Sequence, residues 1–117
     1  FPHFLGYADE KGIEEGEGYN LNYPMPPNTS YKIWKKNLNA AINNVQKFNP
    51  NFLLISLGVD TFEMDPISFF KLKSNDYFDV GRVISSLGIP TLFVMEGGYA
   101  INEIGINTVN ILKGFEE

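Results

Sequence analysis

Two short apolar runs constrain this chain more than any other feature. Residues 52–57 read Phe-Leu-Leu-Ile-Ser-Leu and residues 91–95 read Thr-Leu-Phe-Val-Met. Runs of this length without polar alternation fit strands of a parallel sheet, whose two faces are both covered by helices. The segments around them have helical spacing. In residues 30–48, Ile33, Trp34, Leu38, Ala41, Ile42, Val45 and Phe48 recur every three or four positions. Thr29 or Ser30 can cap that helix, and Pro50 stops it. A second helix is predicted over 76–87, with Tyr77, Val80, Ile84 and Leu87 inward and Gly88 as its stop. A third runs from about residue 101 or 102 to 115, burying Ile101, Ile104, Val109, Leu112 and Phe115. One further strand is expected at 19–23, where Tyr19, Leu21 and Tyr23 alternate with Asn20 and Asn22. The alternation implies an α/β fold with a parallel sheet flanked by helices and right-handed crossovers. No internal repeat, low-complexity stretch or linker divides the chain.

Composition narrows the function classes. The chain has 117 residues, enough for one domain at most, and 44% hydrophobic content rules out a disordered chain. It has no cysteine, which excludes disulfides and thiolate zinc sites. The net charge of −5 argues against a nucleic-acid surface. No apolar run reaches the roughly 20 residues that span a bilayer. No membrane partner and a cytoplasmic location are therefore expected. The chain opens on Phe1, from which a piece of a longer protein is expected.

In parallel α/β sheets, ligands bind beyond the carboxyl ends of the strands. Two such ends carry polar chemistry here: Asp60 after the first run, and Glu96-Gly97-Gly98-Tyr99 after the second. Asp60 has two readings, a hard oxygen ligand for a divalent metal or a hydrogen-bond acceptor in a loop. Gly97 and Gly98 let backbone approach a ligand closely. Tyr99 is either a hydrogen-bond donor to a developing oxyanion or a half-buried turn tyrosine. The glycine pair Gly16 and Gly18 precedes an expected strand rather than a helix, and three glutamates surround it, so phosphate binding is rejected. Asp65-Pro66 reads as a turn. His3, the only histidine, stands at a terminal turn, where a structural role is expected over catalysis.

Several strings resemble one family. Leu54-Ile55-Ser56-Leu57-Gly58-Val59-Asp60-Thr61-Phe62, followed by Asp65-Pro66-Ile67, is similar to the zinc-dependent deacetylases of the histone deacetylase and acetylpolyamine amidohydrolase superfamily. Gly16-Glu17-Gly18-Tyr19-Asn20-Leu21-Asn22-Tyr23-Pro24 resembles that family's glycine-rich loop. Val94-Met95-Glu96-Gly97-Gly98-Tyr99 resembles its catalytic-tyrosine motif, and Gly105-Ile106-Asn107 to Gly114-Phe115-Glu116 also fits. The resemblance covers essentially the whole chain and looks nearest to the bacterial acetylpolyamine amidohydrolase branch.

That resemblance implies an arginase-like three-layer fold, of which residues 1–117 are the C-terminal portion of one catalytic domain. It implies Asp60 as a zinc ligand and Tyr99 as the catalytic tyrosine. Gly97, Gly98 and Ile67 are implied at the substrate channel. Tyr19 falls near a backbone position that helps hold potassium in some members. The implied reaction is removal of acetyl groups from acetylpolyamines or acetyl-lysine, with zinc as cofactor and a histidine pair as acid and base. A homodimer is compatible with it. The position of Ile67 is acidic in one polyamine-specific branch, so that gate is absent. The family's other zinc ligands and its tandem histidines match nothing in this sequence. Since catalytic zinc normally takes three protein ligands, the segment by itself is expected to be inactive. The alternatives are a catalytically incomplete interaction module, or a Rossmann-like cofactor binder, which Glu96 disfavours.

Overall fold

A computed structural model describes residues 4–117, so His3 lies outside the described residues. Five elements beyond single turns follow in the order α1 (Tyr31–Phe48), β1 (Leu53–Leu57), α2 (Ser74–Ser85), β2 (Thr91–Met95) and α3 (Ile104–Glu116). The two strands pair in parallel and in register, from Leu53 opposite Thr91 to Leu57 opposite Met95. The pairing runs past the strand ends. Glu96 N–H donates to the Leu57 carbonyl at 2.9 Å, and Val59 N–H donates to the Gly97 carbonyl at 2.8 Å. The α/β class read from the sequence is therefore the observed one.

The expectation that both sheet faces are covered is met on one face only. Leu53, Ile55 and Leu57 alternate inward, whereas Leu54 is 57% exposed and Leu92 and Val94 are also exposed. Side chains alternate across a strand, so a run can be apolar at every position while neighbours within this chain cover only half of it. The core on the covered face joins Leu57, Val59, Phe62, Leu72, Tyr77 and Ile111, with Trp34 and Phe93 packed against it.

The strand expected at 19–23 does not form. No strand among the described residues offers it a ladder, and the two asparagines serve the preceding loop instead. Asn20 Nδ2 donates to the Glu10 carbonyl and Asn22 Nδ2 to the Tyr7 carbonyl. Tyr19 lies edge-on to Phe48.

α3 presents only part of the face expected: Ile104 packs against the core and Phe115 lies edge-on to Phe93, but the other three residues do not turn inward. Ile101 precedes the helix and is 86% exposed, and Val109 and Leu112 are exposed. The inward stripe is Asn107, Ile111 and Gly114. The reason is how closely α3 approaches α2. A Cβ on Gly114 would stand 1.9 Å from the Phe78 carbonyl oxygen, and one on Gly81 would stand 2.1 Å from that of Ile111. The crossing thus selects small residues, which a search for apolar side chains overlooks. On α2, Tyr77, Val80 and Ile84 are buried as expected, and Gly88 takes the left-handed conformation at φ 62°.

α1 buries no residue fully, and Ile33 and Phe48, expected inward, are exposed. A polar clasp holds it to α2. Asp79 accepts hydrogen bonds from the Tyr31 hydroxyl and the Lys35 ammonium. Burial pushes the Asp79 carboxyl up, but the bonds from Lys35 and Tyr31 outweigh it, and the net direction is down.

Two outcomes are expected. Gly114→Ala forces backbone apart and destabilises the protein by about 1–3 kcal/mol in chemical denaturation, despite alanine's better helix propensity. Asp79 is ionised more readily in the folded state than in the unfolded one. Its contribution is present above its ordinary value of 3.8 and is lost as pH falls through the lower folded value. Thermal melts of Asp79→Asn should therefore show a stability loss at pH 7 that closes in acid. The loss should stay below about 1 kcal/mol for so exposed a pair.

Candidate active site

The in-register pairing of β1 and β2 sends two loops out from one edge of the sheet. Asp60 stands three residues beyond β1, and Gly97, Gly98 and Tyr99 follow β2 after Glu96. The two loops meet at Gly97. A Cβ added there would lie 2.6 Å from Asp60 Oδ2 and 3.6 Å from the Tyr99 hydroxyl oxygen. One point in space is thus close to both the Asp60 and the Tyr99 oxygens, and only the missing glycine side chain leaves it open. Gly98 is required for a second reason. Its φ is +147°, and a Cβ would stand 2.6 Å from Val59 Cγ2.

The Asp60 carboxylate is half-buried. Burial raises its pKa most. Its own backbone N–H lowers it, and the nearby Asp65 charge raises it again. No ion pair involves it among the described residues. Tyr77 holds the residues on either side of Asp60. The Tyr77 hydroxyl donates to the Val59 carbonyl at 3.0 Å and also bonds the Thr61 hydroxyl at 3.0 Å. The Tyr99 side chain is 47% exposed, and its hydroxyl has no hydrogen-bond partner among the described residues. A phenol in that condition is free to donate to a bound molecule.

Ile67 stands in a cleft that Asp60 also lines. The cleft measures about 270 Å³ and is walled as well by Met25, Pro26 and Phe69. Asp60 therefore borders both the Gly97 point and a cleft of mixed polar and apolar lining. Gly97, Gly98 and Tyr99 are not part of that cleft's wall. Tyr19 is in neither, exposed beside Phe48. Sequence reasoning missed the Met25-Pro26 wall, since consecutive prolines read only as loop. It also read Asp65 only as a turn residue.

The donor set bears on a metal. Asp60 offers one part-desolvated hard oxygen pair, with Gly58 and Gly97 leaving the space around it clear of side chains. That suits one ligand of a divalent cation. Among the described residues, no group of three or more His, Cys, Asp or Glu could complete the set. For a Rossmann-like role the same geometry is adverse, because an anion at Gly97 would meet the Asp60 carboxylate.

Comparison with known proteins gives the family. Residues 1–115 match the histone deacetylase domain, and the chain belongs to that family. It is 56% identical over 99% of its length to acetylpolyamine amidohydrolase 2 of Pseudomonas aeruginosa. It is 53% identical over 97% of its length to the acetylpolyamine amidohydrolase of Mycoplana ramosa. The crystal structure of acetylpolyamine aminohydrolase from Burkholderia pseudomallei superposes with a TM-score of 0.94 at 35% identity, covering 98% of this chain. The chain spans about a third of the length of these relatives: 34%, 33% and 34% in turn. No helix among the described residues is long and apolar enough to cross a membrane.

Because the ionised Asp60 is disfavoured by burial, removing its charge should relieve the metal-free fold. With chelator present at pH 7, Asp60→Asn is expected to melt at a higher temperature than the parent. The raised folded pKa makes the penalty grow as pH rises through it, so the difference should vanish below the ordinary value of 3.8. An unchanged or lower melting temperature at pH 7 would contradict this account.

Proposed function

We propose that this chain is the C-terminal part of a zinc-dependent deacetylase domain that hydrolyses acetylated amines. The observation that carries the reading is the convergence of the Asp60 carboxylate and the Tyr99 hydroxyl on the open point above Gly97. Asp60 would hold zinc together with ligands from outside this chain, and bound zinc would supply Lewis-acid polarisation of a water and an acetyl carbonyl.

The chain's own residues then have separable tasks. Tyr99 donates its hydroxyl hydrogen to the acetyl carbonyl oxygen as negative charge builds on it. Gly97 and Gly98 leave room for the acetyl group, where any Cβ would strike Asp60 or Val59. The cleft walled by Ile67, Met25, Pro26 and Phe69 receives the aliphatic stem of the amine and keeps water from it. Acetylpolyamines are the favoured substrate class, because the relatives above 50% identity carry that name. An acetyl-lysine side chain has the same apolar stem and is the competing substrate.

The test is deacetylation by the whole protein, comparing acetylpolyamines with acetyl-lysine peptides, with and without chelator. Turnover of an acetylpolyamine that chelator abolishes is expected. Tyr99→Phe should lower kcat about 10²- to 10³-fold, the usual cost of one oxyanion donor. Asp60→Asn should abolish both turnover and stoichiometric zinc binding. Inertness toward both substrates with zinc present would overturn the reading in favour of a non-catalytic interaction module.

A further inference from the structure

Asp65 is 7% exposed and sits between the two halves of the site. Its Oδ1 accepts hydrogen bonds from the N–H groups of Ile67 at 3.0 Å and Ser68 at 3.1 Å. Its Oδ2 accepts from the Tyr99 N–H at 2.8 Å, 34 residues further along the chain. No lysine or arginine pairs with it among the described residues. Three peptide N–H dipoles thus satisfy a buried carboxylate, an arrangement in which each bond is charge-assisted.

A turn aspartate needs only the two local bonds to Ile67 and Ser68. The third bond falls just after a glycine pair, where the chain has little restraint of its own. Tyr99 follows two glycines, which have wide conformational freedom. Its side chain is half exposed, so packing does not hold it. The Asp65 carboxylate supplies that missing tether, and it also fixes the cleft wall at Ile67.

We propose that Asp65 is a positioning residue: one carboxylate sets Tyr99 and the Ile67 wall relative to each other, so that the Tyr99 hydroxyl stands over Gly97. The proposal deepens the deacetylase reading and rests on it for its kinetic consequences. In Asp65→Asn, one carboxylate oxygen becomes an NH2 group. Whichever way the amide turns, a donor faces either the Tyr99 N–H or the Ile67 and Ser68 N–H groups. Asp65→Glu keeps the charge and displaces both oxygens by one methylene, and serves if the first variant does not fold.

The experiment has two arms in the whole protein. In the first, hydrogen exchange is followed at residues 97–99 and in β1 and β2. The variant should exchange faster at 97–99 while the strands keep their protection. In the second, kcat and KM for an acetylated amine are measured for Asp65→Asn, Tyr99→Phe and the double variant. The Asp65 variant should lose about 10- to 100-fold in kcat, the range seen when an orienting group is removed. Acting through Tyr99, it should add little to the loss in the double variant. Unchanged exchange at 97–99, or losses that multiply in the double variant, would overturn the proposal. Should the parent itself prove inert, the exchange arm still decides whether Asp65 holds Tyr99, separately from the deacetylase reading.

Discussion

The in-register parallel pairing of β1 with β2 is the constraint on which the rest depends. Leu57 and Met95 end the strands side by side, and two further backbone bonds carry the pairing past them to Val59 and Gly97. Asp60 and Tyr99, 39 positions apart in the sequence numbering, thereby leave the sheet at one edge. A one-residue slip would turn every side chain to the opposite face and separate them.

Around that edge the chain spends polar groups on placement rather than on bulk stability. Tyr77 bonds the Val59 carbonyl and the Thr61 hydroxyl on the two sides of Asp60, and Asp65 joins the Ile67 turn to Tyr99. The Asp60 carboxylate is less well served: burial and the neighbouring Asp65 work against its ionisation, and the bond from its own backbone N–H offsets them only in part.

Much of this was legible in the sequence because local signals were strong. The two apolar runs, Gly88 as a helix stop, and the placing of Asp60 and Gly97-Gly98-Tyr99 at strand ends all follow from periodicity and turn chemistry. The failures share a cause. At 19–23, alternation suggested a strand, but no strand among the described residues supplies a ladder and the asparagines bond loop carbonyls. On α3, the apolar positions Val109 and Leu112 drew attention from Asn107 and Gly114, which the close α2 crossing requires. Asp65 disclosed its local turn but not its bond to Tyr99.

The sequence by itself determined the order of elements, the residue types at the strand ends and the family resemblance, because these rest on spacing along the chain. Only the tertiary structure decided which strand face is covered, which face of α3 turns inward and what Asp65 holds. Each of those depends on groups tens of residues apart meeting at hydrogen-bond or van der Waals distance, and spacing along the chain carries no measure of such meetings.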